Sequence, residues 1–230
     1  MAIHSIEVYR RFERLWHWSQ MLLIVTLLFT GFAVHGAHSL IDFKTAVTVH
    51  TLAALILLGI WTFAVFWLFT TGEWRHYIPT VKHLPAVAHY YFFGIFRGEK
   101  HPYIKTYRRK HNPLQSLTYL TVKIVIFPAV WITGISYLLI SFGIGGEFFE
   151  GIGLGFIADL HTLAAIAILA FVCIHIYLLT TGDHSFFAHV KPMITGFDKV
   201  ELTDEEYAFL KSDASTRLRD IVQDGWGEAK

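Results

Sequence analysis

Four long stretches without a charged side chain dominate this sequence. Arg14 and Asp42 bracket 27 uncharged residues, Lys44 and Glu73 bracket 28, Lys123 and Glu147 bracket 23, and Asp159 and Asp183 bracket 23. A bilayer's hydrocarbon core is about 30 Å thick and takes roughly 20 apolar residues of helix to cross. Membrane β-strands would alternate over about 10 residues, and these runs do not alternate. The stretches therefore predict four transmembrane helices, at about 15–36, 45–70, 120–141 and 157–180. The expected fold class is an all-α membrane protein, a four-helix bundle. Its membrane domain spans 1–182, and a tail covers 183–230. The first apolar run exceeds the roughly 7–15 residues of a signal-peptide core, so it reads as an uncleaved helix.

The basic residues set the orientation, because cytoplasmic loops carry the excess of Lys and Arg. Arg10, Arg11 and Arg14 precede the first span, eight basic residues lie between the second and third, and six lie in the tail. The other two loops share Lys44 alone. Both termini and the long middle loop are thus expected in the cytoplasm. Within that loop, His83–Phe96 is uncharged, aromatic and 14 residues long. It suits an interfacial segment better than a span. In the tail, Thr203 and Glu206 have capping-box spacing, and a short soluble helix is expected over 204–223. The glycine-rich stretch Gly143–Phe156 reads as a connector.

Composition excludes several classes. Charged residues make up 16% of the chain, against about 25% in soluble domains. A balanced charge, net +1, with no basic domain, argues against a nucleic-acid partner. One cysteine, Cys173, removes disulfide scaffolds and thiolate-held zinc or iron–sulfur centres; it reads as a small apolar residue.

Histidine carries the chemistry. Five of the 14 histidines fall within these bounds; His35 sits at the outer edge of the first, and the candidates are His17, His50, His161 and His175. Ionisable groups inside a membrane are costly and face an interior. His161 and His175 are 14 residues apart on one helix. They share a face, about 21 Å apart along the axis. His50 opens the second span at the outer surface, level with His161. His17 opens the first at the inner surface, level with His175. Two imidazoles at one depth on different helices supply the two axial ligands of a six-coordinate haem iron. The pairs predict two haems. Without Cys-x-x-Cys-His both are b-type, non-covalently held. Zinc would want three or four converging ligands, and a proton relay would want Asp or Glu deep in the spans. Arg14, one turn before His17, is a candidate for a haem propionate and equally a positive-inside anchor. Ala164, Ala165 and Ala167 thin one side of the fourth span. Pro128 is expected to kink the third.

These residues resemble the di-haem cytochrome b (gamma) subunits of membrane-bound formate dehydrogenases, nickel–iron hydrogenases and thiosulfate reductases, a bacterial cytochrome b561-like family. The likeness spans about residues 10–200. It rests on Arg14-Leu-Trp-His17-Trp18, on His50, on the His161…His175 pair with Thr181-Gly182, and on Met193-Ile194-Thr195-Gly196. It implies that His50 and His161 hold an outer haem, and His17 and His175 an inner one. It also implies a quinone (menaquinone or ubiquinone) near the inner haem. Asn112 and Gln115 match its Asn-x-x-Gln pattern, in a form closest to the thiosulfate-reductase branch. Asn-Pro is also a helix-start signal, so Asn112 has a capping reading too. Lys123 departs from the pattern; it either snorkels to the interface or reaches a propionate or the quinone.

The expected function is electron transfer through two haems in the bacterial inner membrane. It links the quinone pool to a redox subunit on the periplasmic side: a molybdoenzyme, a hydrogenase, or an iron–sulfur or multihaem cytochrome c subunit. Membrane lipids are the remaining partner. The rival readings are a stand-alone b561-type quinone oxidoreductase that oxidises superoxide, and a haem-free transporter.

Overall fold

A computed structural model describes residues 2–99, 101–103, 111–180, 186–212 and 218–219. The chain forms two compact units. One comprises Met1–His17, Pro79–Ser116 and Leu179–Lys230, the other Trp18–Ile78 and Leu117–Leu178.

The second unit holds nearly all of four long helices. They are α1 (Arg11–Val34), α2 (Phe43–Thr71), a third span Pro113–Ser141 made of α4 (Pro113–Thr121), a π turn (Val122–Ile126) and α5 (Phe127–Ser141), and α7 (Leu154–Thr180). With 24 to 29 residues and about 1.5 Å of rise each, all four exceed the hydrocarbon thickness. They start two to seven residues earlier than the charge gaps predict, because polar caps lie outside the apolar runs. Asp42 caps α2 by accepting from the Thr45 N–H at 3.0 Å, and that bond holds its exposed carboxyl below the usual range. Ile24, Leu57, Val122, Phe127 and Ile168 meet in the bundle interior, where Trp61 packs edge-on to Trp131. Outward, Phe63, Phe66 and Phe69 of α2 are exposed. Lipid tails are as apolar as these rings, so what holds the helices together is close packing in the interior.

At Pro128, where a kink was expected, the helix departs from α geometry in the π turn just before it. Proline has no N–H for the carbonyl four residues back and its ring crowds that carbonyl. The chain widens by one residue, and the Phe127 N–H reaches the Val122 carbonyl instead.

The first unit gathers the three segments that the basic residues assign to the cytoplasm. The middle loop forms α3 (Leu84–Phe92) and a 3₁₀ turn (Gly94–Arg97), within the stretch read as interfacial. A three-stranded sheet is an addition to the all-α expectation. β1 (Ala2–Glu7) lies at its centre, between β2 (Phe197–Leu202) and β3 (Leu218–Arg219), both antiparallel to it. Ile6 and Val8 alternate inward against Val200 and Leu202. Leu210 of α9 (Asp204–Ser212) closes this core. The capping box at Thr203 and Glu206 forms as expected: the Glu206 N–H donates to Thr203 Oγ1 at 3.2 Å, and the Thr203 N–H to Glu206 Oε2 at 3.1 Å. The far end of that helix needs correction. The described helix covers Asp204–Ser212, and Leu218 and Arg219, expected within it, pair instead with Ile6 and Ser5. A division at residue 182 groups the chain differently, since the N-terminal strand packs with the tail. α8 (Phe186–Thr195) precedes β2, and the glycine-rich connector contains α6 (Gly146–Ile152).

Candidate functional site

Two histidines meet inside the bundle. His50 stands two turns into α2 and His161 two turns into α7. Their ring centroids are 6.3 Å apart with planes at 60°. Each ring is steadied by the neighbouring span. Thr30 Oγ1 of α1 lies 3.0 Å from His50 Nδ1, and Thr133 Oγ1 of α5 lies 2.8 Å from His161 Nδ1. Both hydroxyls also donate back along their own helices, to the Thr26 carbonyl at 2.8 Å and the Ala129 carbonyl at 2.7 Å. A hydroxyl has one proton. Given to the helix, it leaves the oxygen as an acceptor for the ring N–H. The network therefore assigns the Nδ1–H tautomer to both rings and presents both Nε2 lone pairs for ligation. Gly31 and Gly134 follow the two threonines. A Cβ there would stand 3.6 Å from His50 Cε1 and 3.4 Å from His161 Cε1, so glycine lets each imidazole lie against bare backbone. Tyr137 sits edge-on to His161 at 6.4 Å.

The spacing of this pair is what two imidazoles on one metal need. A ligating imidazole nitrogen stands about 2 Å from its metal and about 1.1 Å from its own ring centre, so two rings across one metal are about 6.2 Å apart. Among the described residues no three His, Cys, Asp or Glu side chains converge.

His17 belongs to the first unit and His175 to the second. His175 stacks on Phe171, with centroids 5.9 Å apart and planes at 19°. Arg14 Nη1 donates to the Ile194 carbonyl, tying the start of α1 to the end of α8. The Val8 and Tyr9 N–H groups donate to the Gly196 carbonyl at 2.9 and 3.0 Å. Gly196 has φ +92, and a Cβ there would meet the Tyr9 carbonyl oxygen at 2.8 Å. The Met193–Gly196 motif thus has a structural explanation.

Asn112 and Gln115 cap α4 reciprocally. Asn112 Oδ1 accepts from the Gln115 N–H at 2.8 Å, and Gln115 Oε1 from the Asn112 N–H at 3.2 Å. Asn112 Nδ2 is left to donate to the Tyr91 hydroxyl at 3.0 Å, whose burial pushes the phenol pKa up. Lys123, in the π turn, places Nζ 3.4 Å from the centre of the Tyr77 ring, a cation–π contact. Tyr77 ends a 3₁₀ turn (Glu73–Tyr77) in which buried Glu73 lies 3.5 Å from His76 Nε2. Thr181 and Gly182 lie outside the described residues.

The sequence reading did not single out Thr30, Thr133, Tyr91 or Tyr77. Thr-Gly occurs five times in the chain, and only the tertiary contacts separate the two pairs that face an imidazole.

The chain matches the family Prokaryotic cytochrome b561 over residues 8–196. It belongs to that family. It is 34% identical over 205 residues to the protein named "Putative cytochrome YdhU" of Escherichia coli (strain K12), covering 85% of this chain and 75% of that one. No solved structure matches the chain. Membership makes this a multi-pass cytochrome of the bacterial inner membrane that carries haem b and works in electron transfer. The expected family resemblance, membrane fold and b-type cofactor are borne out.

Proposed function

We propose that this b561-family chain is the membrane subunit of a respiratory oxidoreductase. It moves electrons between a periplasmic-side redox partner and a quinone near the cytoplasmic face. His50 and His161 hold an outer haem, and His17 and His175 an inner one. The observation that carries this reading is the His50–His161 pair: spacing, tautomer and glycine-lined seats all suit two axial ligands on one iron. When bound, each haem supplies a one-electron carrier with no open iron position. The protein's share is to fix the rings, exclude water with apolar helices, and bring quinone and protons together at the interface. For that last task Asn112 and Gln115 offer amide groups without fixed charge, and Lys123, on the same span, offers a cation. Arg14 has further donors, beyond the one given to Ile194, for a propionate. A single cysteine cannot build an iron–sulfur cluster, so the substrate chemistry belongs to other subunits.

The test is purification from native membranes under mild detergent. Co-elution of a stoichiometric redox subunit, with haem reduction by its substrate and re-oxidation by quinone, is the expected result. Elution alone, with direct superoxide-driven quinone reduction, would favour the stand-alone enzyme. No b-type band on reduction would contradict both.

A further inference from the structure

Thr30 and Thr133 are among the most buried polar side chains in the spans, 1% and 3% exposed. A threonine in an apolar helix normally satisfies its hydroxyl proton on its own backbone, and both do. What that leaves unexplained is why both oxygens face an imidazole Nδ1, at 3.0 and 2.8 Å, and why each is followed by a glycine against the same ring. The two arrangements are built from different pairs of helices, α1 with α2 and α5 with α7. Two independent copies of one hydrogen-bond geometry, on the two rings that face each other, make chance packing a poor explanation.

We infer that Thr30 and Thr133 are positioning residues that tune the outer haem through its axial ligands; the inference rests on His50 and His161 being those ligands. Each hydroxyl oxygen is polarised by the bond it gives to the helix carbonyl, which makes it a stronger acceptor. Accepting from Nδ1–H raises the electron-donating power of the imidazole and fixes the ring's rotation. A more basic imidazole stabilises the ferric iron, so the bonds hold the outer haem's reduction potential down.

The experiment is a spectroelectrochemical titration of the purified holoprotein, wild type against Thr30→Val, Thr133→Val and the double variant, with Thr30→Ser and Thr133→Ser as rescues. Valine keeps the shape and removes the acceptor. The expected result is two haem transitions in every variant. One moves to higher potential in each valine variant and further in the double, the other stays fixed, and serine restores the wild-type value. Unchanged potentials in the valine variants, with both haems bound, would overturn the inference and leave the haem assignment standing. Both transitions moving together would also overturn it, as a general structural effect. His50→Ala retaining both transitions would instead sink the ligand assignment. If a valine variant fails to accumulate, the serine variant decides: full haem content at an altered potential would contradict a role confined to the hydroxyl.

Discussion

On Asn112, capping and the proposed quinone contact would load different atoms of one side chain. Oδ1 caps α4, while Nδ2 donates to Tyr91. Asn112→Asp keeps a good cap and removes the amide donor, so it separates the roles. Quinone turnover is expected to fall by up to about tenfold, one hydrogen bond's worth, with haem content unchanged. An unaltered rate would leave Asn112 as a cap alone. Asn112→Ala loses both functions and should cost about 1 kcal/mol of stability as well, seen as a lower thermal midpoint. At this scale the approach of His50 and His161 was legible in the sequence, because the charge gaps put both at one depth. Their threonine partners were not, since a hydroxyl that satisfies its own helix leaves no mark in sequence until the neighbouring helix is in place.

Among the elements, spans were easiest to read and termini hardest. Helix starts shifted outward at Arg11 and Pro113 because caps use polar residues beyond the apolar run; there Glu13 Oε2 accepts from the Arg10 N–H at 2.8 Å. The tail helix was overextended because residues 218–219 pair with β1, a long-range contact that local periodicity does not register. The junction of α8 and β2 makes its own prediction. Gly196→Ala puts a Cβ against the Tyr9 carbonyl at positive φ, which costs on the order of 1–3 kcal/mol. The thermal midpoint of the purified protein should drop measurably, whereas Gly151→Ala, with open space at its Cβ, should be nearly neutral.

For the molecule as a whole, the β1–β2 pairing joins the N-terminal segment to the tail, so both must lie on one side of the membrane, as four spans require. The arginine and lysine distribution says which side. Cysteines introduced one at a time at His38 and Ile144 should therefore react with a membrane-impermeant thiol reagent in cells with an opened outer membrane. One at Lys199 should react only after lysis, and labelling of Lys199 in intact cells would invert the topology. Sidedness matters energetically: a charge crossing the full membrane is worth about 2.3 kcal/mol per 100 mV. Inward electron flow with cytoplasmic proton uptake would store that energy.

The most direct measurement is haem per polypeptide in purified wild type, His161→Ala and His175→Ala, by haem extraction and quantitative protein assay. Two haems b in the wild type are expected, and one in each variant, with a different redox transition surviving in each. A wild-type value of one, or two haems retained in either variant, would contradict paired histidines at two depths.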